Sequence, residues 1–158
     1  DLFSRLADKE KSLVLRDVQS PNLIWRPERK GHDRLGVIDF QDALIGPAAY
    51  DIASLALDPR VTIPPELESS TVEAYKAARK KYGAFDDSSF DDVYAIMAAQ
   101  RHSKILGIFV RLHRRDGKPA YLEHIPRIRG YLRRVLEHPA LSTLRELYQQ
   151  NALIGEAT

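Results

Sequence analysis

The segment Asn22-Leu23-Ile24-Trp25, the polar stretch from Arg26 to Arg34 around Gly31, and the run Leu35-Gly36-Val37-Ile38-Asp39-Phe40 read as a single β-hairpin. That hairpin constrains the chain more than any other feature, because antiparallel pairing lets spatial neighbours be read from spacing alone. If the turn centres near Lys30 and Gly31, Asn22 lies across from Asp39 or Phe40. Leu13-Val14-Leu15 forms a further short apolar run that stops at Arg16 and Asp17, a brief strand running into a loop that follows a polar, helix-compatible stretch over residues 1–11. Asp17, five residues before Asn22, then feeds the same open end of the hairpin.

Beyond Gly46-Pro47 the pattern is helical. One helix runs through Asp51 and Leu55 toward Asp58-Pro59. Pro64-Pro65 opens a second, with Leu67, Val72, Tyr75 and Ala78 available for packing and Gly83 as its stop. Ser88 or Ser89, followed by Asp91 and Asp92, starts the longest, which is expected to reach about His113 before Asp116-Gly117 breaks it. Pro126 and Pro139 fit first-turn positions of two more, carrying Ile128, Tyr131, Leu132 and Val135, then Leu141, Leu144, Leu147 and Tyr148. The expected fold is α+β and mainly α, one domain over residues 1–158, with no repeat or linker.

Composition narrows the function classes. The length suits one domain with its own core. Lys plus Arg number 24 against 22 Asp plus Glu, so no whole-molecule field favours nucleic acid or anionic lipid, and either partner requires a local patch. With no cysteine, disulfide frameworks, thiolate zinc sites and cysteine nucleophiles are excluded, and a reducing compartment fits. No apolar run approaches the ~20 residues a bilayer requires, and the start lacks the features of a signal peptide. A cytoplasmic protein without membrane contact is the expectation.

Asp17, Asn22 and Asp39 thus offer a carboxylate, a carboxamide and a second carboxylate within one small volume. Hard oxygens of this kind suit Mg2+, which takes one or two carboxylates together with substrate phosphates. Phosphoryl transfer to a hydroxyl needs a carboxylate to accept the proton and metal ligands to neutralise the moving group. Asp-x-x-x-x-Asn followed by an aspartate after an apolar strand is the protein-kinase arrangement. Taken alone, Asp17 or Asn22 is better explained as a turn residue. The combination is not.

Leu13-Val-Leu-Arg16-Asp17-Val-Gln-Ser-Pro-Asn22-Leu, Val37-Ile-Asp39-Phe-Gln-Asp42-Ala and Gly46-Pro-Ala-Ala-Tyr-Asp51-Ile-Ala resemble the aminoglycoside phosphotransferase and choline kinase superfamily. Gln100-Arg101, Lys104-Ile-Leu-Gly-Ile-Phe109 and Arg115-Asp-Gly-Lys118 are similar to its branch of anomeric N-acetylmuramate/N-acetylglucosamine kinases, and the resemblance runs from about Ser12 to Tyr148. It implies a protein-kinase-like C-terminal lobe with a small catalytic hairpin and ATP and Mg2+ as cofactors. It also implies Asp17 as catalytic base, Asn22 and Asp39 as Mg2+ ligands, and Asp51 as a carboxylate bracing the catalytic loop. Asp51 is alternatively a first-turn helix aspartate. Arg16 and Asp42 are read as support, with Asp42 either assisting a second Mg2+ or capping the chain as it leaves the strand. Two residues depart from the family pattern, Leu15 and Gln19, where the family often has histidine.

On the longest helix, positions 90, 93, 94, 97, 101, 104, 105, 108 and 112 share one face, apolar or aromatic except for Arg101 and Lys104. The pair either lines a cleft and meets a substrate, or pairs internally with an acid such as Asp51, or marks where the helix surfaces. His102, His113 and His124 read as surface histidines without a zinc set. Arg127, Arg129, Arg133 and Arg134 read as a solvated face balanced by Glu123 and Glu137, so nucleic acid is not expected as a partner. Trp25 is expected to pack.

A kinase also needs a phosphate-covering Gly-rich loop and a strand lysine. Neither is visible. The chain begins at Asp1 and its one methionine is Met97, so a processed or excised piece is expected, with its N-lobe elsewhere in a longer protein and negligible kinase activity of its own. Two rivals stand beside an amino-sugar kinase. One is a non-enzymatic module serving tRNA threonylcarbamoyladenosine modification, and the other is a choline- or homoserine-type kinase, which Arg101 and Lys104 disfavour because a cationic substrate calls for aromatics and acids.

Overall fold

A computed structural model describes residue 2 and residues 4–153. Two short antiparallel ribbons stand against a body of helices. Strand β1 (Lys11–Val14) pairs with β4 (Leu44–Pro47), and β2 (Leu23–Trp25) pairs with β3 (Leu35–Val37). Five helices follow or adjoin them: α1 (Ala49–Ala56), α2 (Pro65–Lys80), α3 (Asp87–Asp116), α4 (Ile125–Leu136) and α5 (Ser142–Gln150). The mainly helical α+β expectation holds.

The hairpin register centres on Lys30, with Leu23 opposite Val37 and Trp25 opposite Leu35. Asn22 therefore faces Ile38, whose amide donates to the Asn22 carbonyl at 3.1 Å. That is one residue short of the expected Asp39 or Phe40, since the turn closes half a step earlier than the spacing suggested. Strand β4 is an addition. The sequence pattern marks only Gly46-Pro47, as punctuation before a helix, whereas Leu44 and Ile45 pair with Val14 and Leu13 before the chain turns into α1. Gly46 permits this closeness, because a Cβ there would lie 3.1 Å from the Leu44 side chain and 3.5 Å from that of Val14.

Helix α3 lies between α1 and α4 and is buried on more than one face, with Phe90, Val93, Ala95 through Ala99, His102, Ile105 and Phe109 all inside. A single apolar stripe therefore understates its burial. Asp86, rather than Ser88 or Ser89, caps its start by accepting from the Ser89 amide. Its end runs to Asp116, where Gly117 at φ +64° closes it in the left-handed conformation that glycine adopts without a Cβ clash. The main core joins α1, α2, α3, α4 and Tyr148 of α5. A smaller cluster of Ile105, Phe109 and Ile128 closes the far end of α3. Pro126 stands in the first turn of α4, whereas Pro139 opens a 3-10 turn, Pro139–Leu141, ahead of α5.

Three expectations about burial change. His102 is fully buried, its ring nitrogens 2.8 Å from the Ala98 carbonyl and 2.9 Å from the Leu57 carbonyl, because α3 is enclosed there by α1 and α4. Burial lowers its pKa below the ordinary imidazole value. Trp25 is exposed and carries the Arg34 guanidinium over its ring at 4.8 Å. The arginines of α4 are not all solvated: Arg134 pairs with Glu68 at 2.6 Å, and Arg127 donates to the Pro59 carbonyl at 2.9 Å. Among the described residues no helix is long and apolar enough to cross a membrane.

Candidate active site

After Val14 the chain leaves β1 through a loop that the helices hold from two sides. Arg16 sits at φ +73°, a left-handed conformation that costs a side-chain-bearing residue about 1–2 kcal/mol. Asp51, in the first turn of α1, compensates: its carboxylate accepts the Leu15 amide at 2.7 Å and the Arg16 amide at 3.0 Å. Burial raises the Asp51 pKa above the usual carboxylate value, while those two amides and the Arg101 charge pull the other way. From α3, Arg101 is 3% exposed and donates to the Arg16 carbonyl at 3.1 Å and the Tyr50 hydroxyl at 3.2 Å. Amide and carbonyl groups on both sides of Arg16 are thus fixed by side chains.

Asn22 ends the 3-10 turn Ser20–Asn22 and is buried. Its Nδ2 donates to the Asp17 carbonyl at 2.9 Å and to Asp39 Oδ2 at 3.3 Å. Both amide hydrogens are engaged, which leaves Oδ1 as the atom that can ligate a cation. Asp39 lies two residues past β3 at φ +62°, and this left-handed turn brings its carboxylate back onto Asn22 despite the one-residue shift in register. Its other oxygen accepts from Gln41 Nε2 at 2.6 Å.

Asp17, half-buried, lies between these supports, tied to Asn22 through its backbone carbonyl. Loop, turn and hairpin end therefore meet in one place. Among the described residues no three His, Asp or Glu side chains form a metal-binding group. The oxygens gathered here are instead one carboxamide and one carboxylate, a set that fits Mg2+ because this ion keeps several waters and phosphate oxygens in its shell.

Asp42 is exposed and faces Arg16, whose Nη1 lies 3.3 Å from the Asp42 carbonyl and 3.7 Å from its Oδ2. Lys104 is exposed, with Nζ 3.2 Å from the Tyr50 hydroxyl, while Arg101 is turned inward onto the loop. Both cations lie over the Tyr50 ring, at 5.4 and 5.9 Å from its centre. Sequence reasoning missed Asp58, which lies just past α1 and binds Ser20 through both its amide, at 2.7 Å, and its hydroxyl, at 2.6 Å. The available signal was an acid directly before Pro59 at the end of an apolar helix, and such an acid reads first as a turn residue.

Comparison with known proteins identifies the family. The model of the phosphotransferase enzyme family matches residues 1–91, the stretch that holds the loop, both ribbons, α1 and α2. The chain is 42% identical over 135 residues to an N-acetylmuramate/N-acetylglucosamine kinase of Caulobacter vibrioides, covering 85% of this chain and 36% of that protein. Against the proteins of the same name from Neisseria meningitidis serogroup B and Pseudomonas aeruginosa, identity is 44% and 37%, covering 85% and 93% of this chain and 40% and 44% of theirs. The chain spans about two fifths of the length of these curated relatives. With the family model covering more than half the chain, including the loop and both ribbons, the chain belongs to the phosphotransferase enzyme family.

Proposed function

We propose that this chain supplies the catalytic C-terminal lobe of a longer kinase that transfers the γ-phosphate of ATP to a hydroxyl of a small molecule, an amino sugar of the N-acetylmuramate or N-acetylglucosamine type. The observation that carries the reading is the contact of Asn22 with both the Asp17 backbone and the Asp39 carboxylate. The relatives' names support the sugar.

In this reading Asp17 is the base. It orients the acceptor hydroxyl and takes its proton as the new O–P bond forms and the bond to the departing ADP breaks. Asn22 Oδ1 and Asp39 hold Mg2+, which when bound neutralises charge on the nucleotide phosphates. Asp51 and Arg101 keep the Leu15-Arg16 backbone fixed, so Asp17 starts from one orientation. Lys104 is the exposed cation of the site and the candidate contact for a polar acceptor. A choline-type acceptor is disfavoured because the Tyr50 face already carries two cations.

The test is sugar-phosphate formation by the longer protein that carries this chain. Asp17→Ala is expected to lower kcat by about 10²–10⁴-fold. Unchanged turnover in that variant removes Asp17 as base, and the present chain alone is expected to show negligible turnover.

A further inference from the structure

An aspartate stands in the first turn of α1 and another two residues past its end, and both are turned on the loop that holds Asp17. Asp51 grips Leu15 and Arg16, before Asp17. Asp58, 1% exposed, grips Ser20, after it. Its second oxygen accepts the Arg60 amide at 2.8 Å, and Arg60 reaches back to Gln19 Oε1 at 2.5 Å. The end of α1 is itself pinned, because His102 of α3 bonds the Leu57 carbonyl.

The spacing makes this arrangement restrictive. Only Asp17, Val18 and Gln19 lie between the Arg16 amide, held by Asp51, and the Ser20 amide, held by Asp58. A segment this short, tied at both ends, keeps little slack, and Asp17 lies within it.

We propose that Asp58 is a positioning residue, and that with Asp51 it makes α1 a two-point splint that sets Asp17 and, through the turn Ser20–Asn22, the side chain of Asn22. Asp58 has both oxygens committed to backbone and hydroxyl donors outside the helix, so its role is to place other groups. The kinetic consequence rests on the phosphotransfer reading above, whereas the structural consequence does not.

The experiment compares Ser20→Ala and Asp58→Asn in the longer protein, with hydrogen exchange over residues 17–22 and steady-state kinetics measured side by side. Ser20→Ala is expected to speed exchange in that segment at least threefold with the helical body unaffected, and to lower kcat about tenfold with acceptor KM within twofold. Asp58→Asn is expected to exceed it, and adding Ser20→Ala to Asp58→Asn to change little, since both remove one contact. If Asp58→Asn does not fold, Ser20→Ala decides alone. Unchanged exchange over residues 17–22 overturns the splint, as does a fall in melting temperature with kcat intact. A wild-type protein that phosphorylates no sugar would instead overturn the proposed function, and the exchange comparison would still judge Asp58.

Discussion

Leu57, Ile128, Leu132 and Leu141 in the helical body are 0% exposed, while Leu13, Trp25 and Ile45 on the two ribbons are 62%, 61% and 68% exposed. The body is held by apolar burial. The loop that joins the ribbons and carries Asp17 is held to the body by a few polar side chains: Asp51 in the first turn of α1, Asp58 just past its end, and Arg101 from α3. Each such hydrogen bond adds only about 0.5–1.5 kcal/mol net, but leaving a buried partner unpaired costs about 1–3 kcal/mol. Stability and site geometry are therefore separable in this molecule, and substitutions can move one without the other.

The largest expected effect is on the body. Leu132→Ala should lower unfolding stability by about 2–5 kcal/mol in denaturant titration, through lost burial and the cavity left behind. A loss under 1 kcal/mol would break the contrast. Next comes Arg101→Met, which leaves the Arg16 carbonyl without its side-chain donor and the Tyr50 hydroxyl with Lys104 alone. It should cost about 1–3 kcal/mol of stability and lower kcat with acceptor KM nearly unchanged. A rise in acceptor KM with kcat retained would instead make Arg101 a substrate contact.

Acidification sharpens the comparison further. Because burial raises the folded-state pKa of Asp51, the folded protein takes up this proton before the unfolded chain does. Its contribution is fully present below the ordinary carboxylate pKa and is lost as pH rises through the raised value. The melting-temperature advantage of wild type over Asp51→Asn should therefore grow as pH is lowered toward 4, and a flat difference would contradict that sign. The smallest effect belongs to the ribbon surface. Ile45→Ser, at an exposed position, should change stability by no more than about 0.5 kcal/mol.

The hairpin and the helix order were legible because alternation, turn residues and proline placement are local signals. Asn22 and Asp39 were legible as a pair for the same reason, although Asp39 arrives by a left-handed turn that no propensity encodes. Strand β4 was not legible, since Leu44-Ile45-Gly46-Pro47 acquires its pairing only from β1, far away in sequence. His102 and Asp58 were misread or missed for a related cause. Their burial depends on how α1, α3 and α4 close around them, and a polar side chain inside a helix pattern looks the same whether it meets water or a carbonyl.

The central claim is that Asn22 and Asp39 share one divalent ion next to Asp17. It is tested most directly by paramagnetic broadening with Mn2+ and ATP in the 15N-labelled longer protein. The account predicts that the side-chain amide signals of Asn22, assigned by their loss in Asn22→Asp, and the backbone signal of Asp39 broaden first, while that of Ile128 stays sharp. Broadening centred on another acidic cluster, with Asn22 and Asp39 unaffected, would contradict it.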